Sequence, residues 1–207
     1  MAAYVGEDAI EMEPIETENV GSLANAMVSE LPGCGDLMVR QALGNSLREF
    51  CRETDACTTS VRVPGFDHGP RGVLLAAPPG MVVLSVLDAK ADGRRVDFEV
   101  SWSGSATFAH VDAPHGSDVE IRFSLAPKIG GEACPAWFKD RFAEAIVAGA
   151  MWHLMTMTGK AWSDAARASV YGARYAAAVA EAAYRRLNEE TSFGGATNAI
   201  PQGGLFI

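Results

Sequence analysis

The chain has no basic residue before Arg40. Residues 1–39 carry eight acids, Glu7, Asp8, Glu11, Glu13, Glu16, Glu18, Glu30 and Asp36, so of the net charge of −9 only −1 falls on the rest. The acidity belongs to an arm, and the remainder is nearly neutral. That balance disfavours nucleic-acid binding through a basic surface. An acidic arm suits a basic partner surface as well as plain solvation. No run of about eighteen apolar residues occurs, so no transmembrane helix is expected. A basic region followed by an apolar stretch is missing near Met1, so no secretory signal is expected either. Cysteine is scarce: Cys34, Cys51, Cys57 and Cys134 form no CxxC pair and no zinc-finger spacing. They read as reduced thiols of a chain made inside a cell, with Cys51 small and buried on a helix face. Spacing gives no support to a Cys34–Cys134 disulfide.

Catalytic signatures are missing too. There is no GxSxG elbow, no HExxH helix and no Cys–His pairing with a recognisable local pattern. The loop GFDHGPRG around His68 lacks the lysine and hydroxyl residue of a phosphate-binding loop. His110 and His115, with Asp112 and Asp118 nearby, superficially resemble a metal cluster, but no second pair completes the set, and turn residues on a wet loop explain them better. His153, among Trp152, Met155 and Met157, reads as packed or interfacial and not as a general base. No catalytic residue, cofactor or metal is expected, and the chain is not read as an enzyme.

What the sequence does contain is a change of period. Residues 1–22 look like a flexible acidic arm. A short helix is expected at Leu23–Leu31, ended by Pro32-Gly33. Asp36 is expected to cap an amphipathic helix to about Thr54 with the stripe Val39, Leu43, Leu47, Phe50 and Cys51. Across 58–127 the period becomes two. Met81–Leu87 is β-rich, Pro64-Gly65 breaks an earlier extended piece, and Ala91-Asp92-Gly93 turns into Arg95–Trp102. Val96, Phe98, Val100 and Trp102 alternate with polar residues, as do Val119, Ile121, Phe123 and Leu125, which implies an antiparallel sheet wet on one face. After Gly130-Gly131 the helical period returns with Trp137, Phe138, Phe142, Ile146, Gly149 and Trp152 on one face. Gly149 marks a weak point or a close helix contact. Gly159 ends that helix and Ser163 caps the next, which runs to about Leu187 with Val170, Tyr171, Tyr175, Ala178, Val179 and Ala182 inward. The short link makes an antiparallel helical hairpin.

The expected fold class is therefore α+β: a helical bundle (residues 23–57 and 128–190) with an inserted antiparallel β region (58–127), an acidic arm (1–22) and an extended tail (191–207). Tryptophans and methionines of the hairpin fill a core or lie on a subunit interface. The YAAAVAEAAY run permits close helix approach within or between subunits. In the tail, four glycines (Gly194, Gly195, Gly203, Gly204) and Pro201 forbid a helix. Leu205, Phe206 and Ile207 each cost roughly 1.5–3 kcal/mol to leave in water. Such a tail folds back or inserts into another subunit, which points to assembly.

The segments LPGCGDLMVRQALGNSLREFCRET, CPAWFKDRFAEAIVAGAMWHLMTMTGKAWSD and ARYAAAVAEAAYRR, followed by SFGG, resemble head-to-tail adaptor (connector) proteins of tailed bacteriophages. The likeness covers the first main helix and everything after about Leu125; the β region and the acidic arm lie outside it. It implies a virion protein of the phage neck, made in the bacterial host cytoplasm, that forms a ring of typically twelve copies beneath the portal. Portal protein and tail or nozzle proteins would be its partners, and DNA would pass through the lumen without specific binding. The resemblance would anchor Phe193, Ile200, Leu205, Phe206 and Ile207 in portal crevices, with Arg185 and Arg186 at the exit of the last helix. The alternatives are a small enzyme or ligand-binding protein with a pocket around His68, His110 and His115, or another virion ring such as a tail terminator or stopper.

Overall fold

The computed structural model describes residues 15–66, 71–103 and 106–193. In chain order the elements are β1 (Thr17–Asn19), a 3-10 turn (Val20–Leu23), α1 (Ala24–Val28), α2 (Asp36–Thr54), β2 (Thr58–Phe66), β3 (Arg71–Leu75) and β4 (Met81–Ala91). They continue as β5 (Arg94–Arg95), β6 (Phe98–Ser103), β7 (Ala106–Val111), β8 (Ser117–Pro127), β9 (Ala133–Pro135), α3 (Ala136–Met155) and α4 (Ala165–Phe193).

The strands build three antiparallel sheets, ordered β2-β8-β4-β5, β3-β7-β6 and β1-β9. This corrects the expectation of a helical bundle carrying a β insertion. The fold is α+β, but the sheets supply as much of the structure as a layer does, and one core runs through both. The reason lies in β8. Val119, Ile121, Phe123 and Leu125 alternate as expected and are all fully buried, and Ser124 and Ala126 on the other face are buried as well. From Phe123 to Pro127 the strand is covered on both faces, which puts that half of it at the centre of a core and not on the floor of an appendage. α2 packs on β8 and on α3. Its Phe50 ring meets Phe138 at 6.0 Å, Phe142 at 5.0 Å and Tyr175 at 6.1 Å between centroids, which joins α2, α3 and α4. Burial of a side chain this size stabilises by about 1.5–3 kcal/mol.

Several local expectations also change. Residues 17–19, assigned to the arm, pair with Ala133–Pro135, and the Lys139 ammonium pairs with the Glu18 carboxylate on the same edge. Pro64-Gly65 does not stop β2; it sits in a bulge between Val63 and Phe66, tolerated because β2 is an edge strand. Trp102 is exposed, since β6 is the edge of the separate three-stranded sheet. Asp164 caps α4 by accepting from the Arg167 amide at 2.9 Å, while the Ser163 hydroxyl accepts from the Lys160 amide in the preceding turn. All four cysteines are buried free thiols. Among the described residues no helix is long and apolar enough to cross a membrane.

Candidate functional site

α4 has two apolar faces. One carries Ala168, Tyr175 and Ala182, each buried against the other helices, with the Tyr175 ring 6.1 Å from both Phe50 and Trp152. The second is built from Val170, Ala173, Ala177, Ala180, Tyr184 and Leu187, all exposed. Their spacing alternates three and four residues, the interval at which side chains line one side of a helix. Val170, Tyr184 and Leu187 are 52%, 65% and 51% exposed, so these are not incidental edges of the core. Val170 was expected inward. It precedes Tyr175 by five residues, about 140° around the helix from it, and the two cannot share a face.

A cleft of about 710 Å³ opens along α2 and the last turns of α3. Met38, Ala42, Leu154 and Met157 give it apolar lining, and Arg48, Glu49, Arg52 and Glu53 alternate in charge along α2. The Glu49 carboxylate is 2.9 Å from the His153 imidazole Nε2, and the His153 ring stacks on Trp152. Burial, followed by the nearby Glu49 charge, raises the Glu53 carboxyl above its ordinary range. Arg48 donates to the Pro127 carbonyl. Gln41 and Asn45 add amides to this lining.

The histidines singled out in the sequence do not converge. His110, on β7, shares a hydrogen bond of 2.8 Å with the Ser101 hydroxyl across the strand pair. His115 is exposed in the turn before β8, and His68 lies outside the described residues. No group of three or more histidine, cysteine or acidic residues able to hold a metal occurs among the described residues. Arg185 pairs with Glu181 one turn earlier on α4. Arg186 reaches to 3.9 Å from the Asp55 carboxylate, and so ties α4 to the C-terminus of α2. Both arginines border a small hollow beside Trp137 and Arg141. Phe193 is the last residue of α4, which extends past the expected end near residue 190. Ile200, Leu205, Phe206 and Ile207 lie outside the described residues.

Sequence reasoning therefore missed the two surfaces that matter most. The exposed stripe had a readable signal in its three-and-four spacing, but alanine dominates every face of α4 and hid it. The cleft had none, because it arises from where α3 stops beside α2. No family model matches the chain, and no curated protein matches it.

Proposed function

We propose that this chain is a structural protein of a tailed bacteriophage neck, a head-to-tail adaptor that assembles into a ring joining portal to tail. The observation that carries the reading is the exposed apolar stripe of α4, opposite a face that is already buried. Large side chains aligned over five turns on a solvent face serve association, since contiguous exposed apolar surface is disfavoured in a protein that acts alone. The resemblance of α2, α3 and α4 to the adaptor family supports the same assignment, and the arrangement of α3 and α4 as neighbouring helices agrees with it. A near-neutral body suits a channel, because fixed positive charge would retain the phosphate backbone of passing DNA.

In this reading twelve copies close the ring, and each offers a segment beyond α4 to the portal. Phe193, Ile200, Leu205, Phe206 and Ile207 supply the apolar anchors, and Arg185 and Arg186 stand at the base. Each anchor binds weakly, but a ring presents all of them at once, so the joint is multivalent. Negative-stain microscopy of the purified chain, alone and mixed with the phage portal, tests this. Closed rings and a portal complex that is lost on deletion of 203–207 are expected. A monomer that ignores the portal would overturn it.

A further inference from the structure

The fold brings the acidic end of the chain and a cluster of four arginines to the same place. We propose that the hollow between the start of α3 and the end of α4 is a carboxylate-binding site, and that its occupant is this chain's own N-terminal segment, through Glu11 and Glu13. Such a site is complete in a single copy, whether or not rings form.

The hollow has a volume of about 80 Å³ and is lined by Arg122, Arg141, Arg185 and Arg186 together with Trp137. No acidic residue is among its described lining residues. Glu181 pairs with Arg185, and the Asp55 carboxylate lies 3.9 Å from Arg186, both from outside that lining. Arg141 has no carboxylate in ion-pair range among the described residues; its guanidinium carbon stands 5.5 Å from the centre of the Phe142 ring. Like charges crowded into so small a space repel one another, and an entering carboxylate relieves that repulsion while matching the guanidinium fork. A space of this size holds a carboxylate and little more.

The N-terminal segment arrives at this hollow. Thr17 pairs with Pro135, and the Ala136 amide donates to the Glu16 carbonyl at 3.0 Å. Because β1 is antiparallel to β9, the chain traced back from Glu16 leaves in the direction in which β9 enters α3. Ile15 still packs against the core. Trp137 and Arg141 follow on α3, one turn apart on one face, with Arg141 about 7.5 Å beyond Ala136 along the axis. An extended chain advances about 3.3 Å per residue, which carries Glu13 and Glu11 up to about 7 and 13 Å past Ile15. Arg141 is within reach of both. Residues 1–14 hold Glu7, Asp8, Glu11 and Glu13 and no basic residue, so nothing in the segment competes with the arginines for these carboxylates. Glu18 already meets a cation of α3 in its pair with Lys139.

Carbodiimide coupling tests the site on the full chain. R141K keeps the charge and supplies an amine, and the Lys139–Glu18 pair serves as an internal control. Peptide mass spectrometry is expected to find the amine at position 141 joined to Glu11 or Glu13, with the link abolished in R141K/E11Q/E13Q and reduced severalfold in about 1 M salt. Mixing copies that carry light and heavy nitrogen separates by mass a link within one copy from a link between two. Proteolysis supplies the second measurement. Arg141 is exposed, so the fold should tolerate R141E, and a glutamate-specific protease is expected to cut after Glu11 about fivefold faster in R141E than in the unaltered chain. A Lys139–Glu18 link with none from position 141 to residues 1–14 would overturn the site, as would equal cutting of the two chains. Links found only between copies would overturn the occupant, because the segment would then serve a neighbour.

Discussion

Gly149 offers the sharpest test of how the helical layer is packed. It lies mid-way along α3, where alanine is favoured over glycine by about 1 kcal/mol on intrinsic grounds. A methyl group there has no room. Its carbon would stand 2.7 Å from the Tyr175 ring, and closer still to the Ser46 hydroxyl. Neither neighbour yields freely. Tyr175 is wedged against Phe50 and Trp152, and the fully buried Ser46 hydroxyl donates to the Ile146 carbonyl at 2.8 Å. Overpacking of this kind costs about 1–3 kcal/mol, and displacing a buried hydroxyl from its partner adds about 1–3 kcal/mol. Set against the helix gain, Gly149→Ala is expected to destabilise the fold by about 2 kcal/mol. For a chain of this size that lowers the melting midpoint by about 4–8 °C. Chemical denaturation of the single variant and of Gly149→Ala combined with Ser46→Ala reads the effect directly. The double variant should recover part of the loss, because only the hydroxyl clash is removed. A neutral or stabilised Gly149→Ala would refute the close α2–α3–α4 contact described above.

Three further outcomes follow from other parts of the fold. Asp55 ends α2 with φ of 47°, and its carboxylate accepts from Ser124 at 2.7 Å and Ser85 at 3.0 Å. Asp55→Ala is expected to cost about 2 kcal/mol, and Asp55→Gly about 1 kcal/mol less, because glycine alone escapes the left-handed strain; equal losses in denaturant titrations would contradict this. The hydrogen bond from Arg62, and then that from the Gly65 amide, hold the Asp118 carboxyl below its ordinary range. A lowered folded value means that its contribution is complete above about pH 3.9 and fades as pH falls through the folded value. Carbon-detected NMR titration should place Asp118 below other exposed aspartates, and Arg62→Ala should move it up; an unmoved titration would show that the pair does not form. Burial pushes the Cys134 thiol up to about 12, while a hydrogen bond donated to Cys57 and then burial raise Cys51. A thiol reagent at pH 8 should label neither in the native protein and both in denaturant, and rapid native labelling would contradict the core assignment.

How much of this was readable in advance depends on whether a side-chain period survives. α2 was legible because Val39, Leu43, Leu47, Phe50 and Cys51 repeat at helical intervals beside outward-facing charges, and all five are buried. β8 was legible by alternation at Val119, Ile121, Phe123 and Leu125. β1 and β9 were not, because three-residue strands are held by backbone bonds and carry no period of their own. β2 was cut short in the reading by Pro64-Gly65, a pair that usually breaks a strand but here sits in an edge bulge. The class itself failed for a related reason. Alternation shows that one face of a strand is buried, but not that β8 is covered on both from Phe123 to Pro127, and only the second fact makes the sheet part of the core.

α4 shows where periodicity gives an ambiguous answer for a physical reason. A helix that buries one face should be polar on the other, and the polar face marks the direction of solvent. Here Ala168, Tyr175 and Ala182 on one side are opposed by Val170, Ala173, Ala177, Ala180, Tyr184 and Leu187 on the other. Nothing in the spacing says which set meets α3. The choice falls to shape. Tyr175 fills the notch beside Gly149, where any larger residue on α3 would exclude it, whereas Tyr184 and Leu187 stay exposed among the described residues. The glycine thus decides which stripe becomes core and leaves the other for a neighbour. It follows that filling the notch should act on both faces at once. With Tyr175 displaced, Gly149→Ala should tilt α4 and weaken self-association as well as folding, and a variant that melts lower but assembles unchanged would separate the two faces.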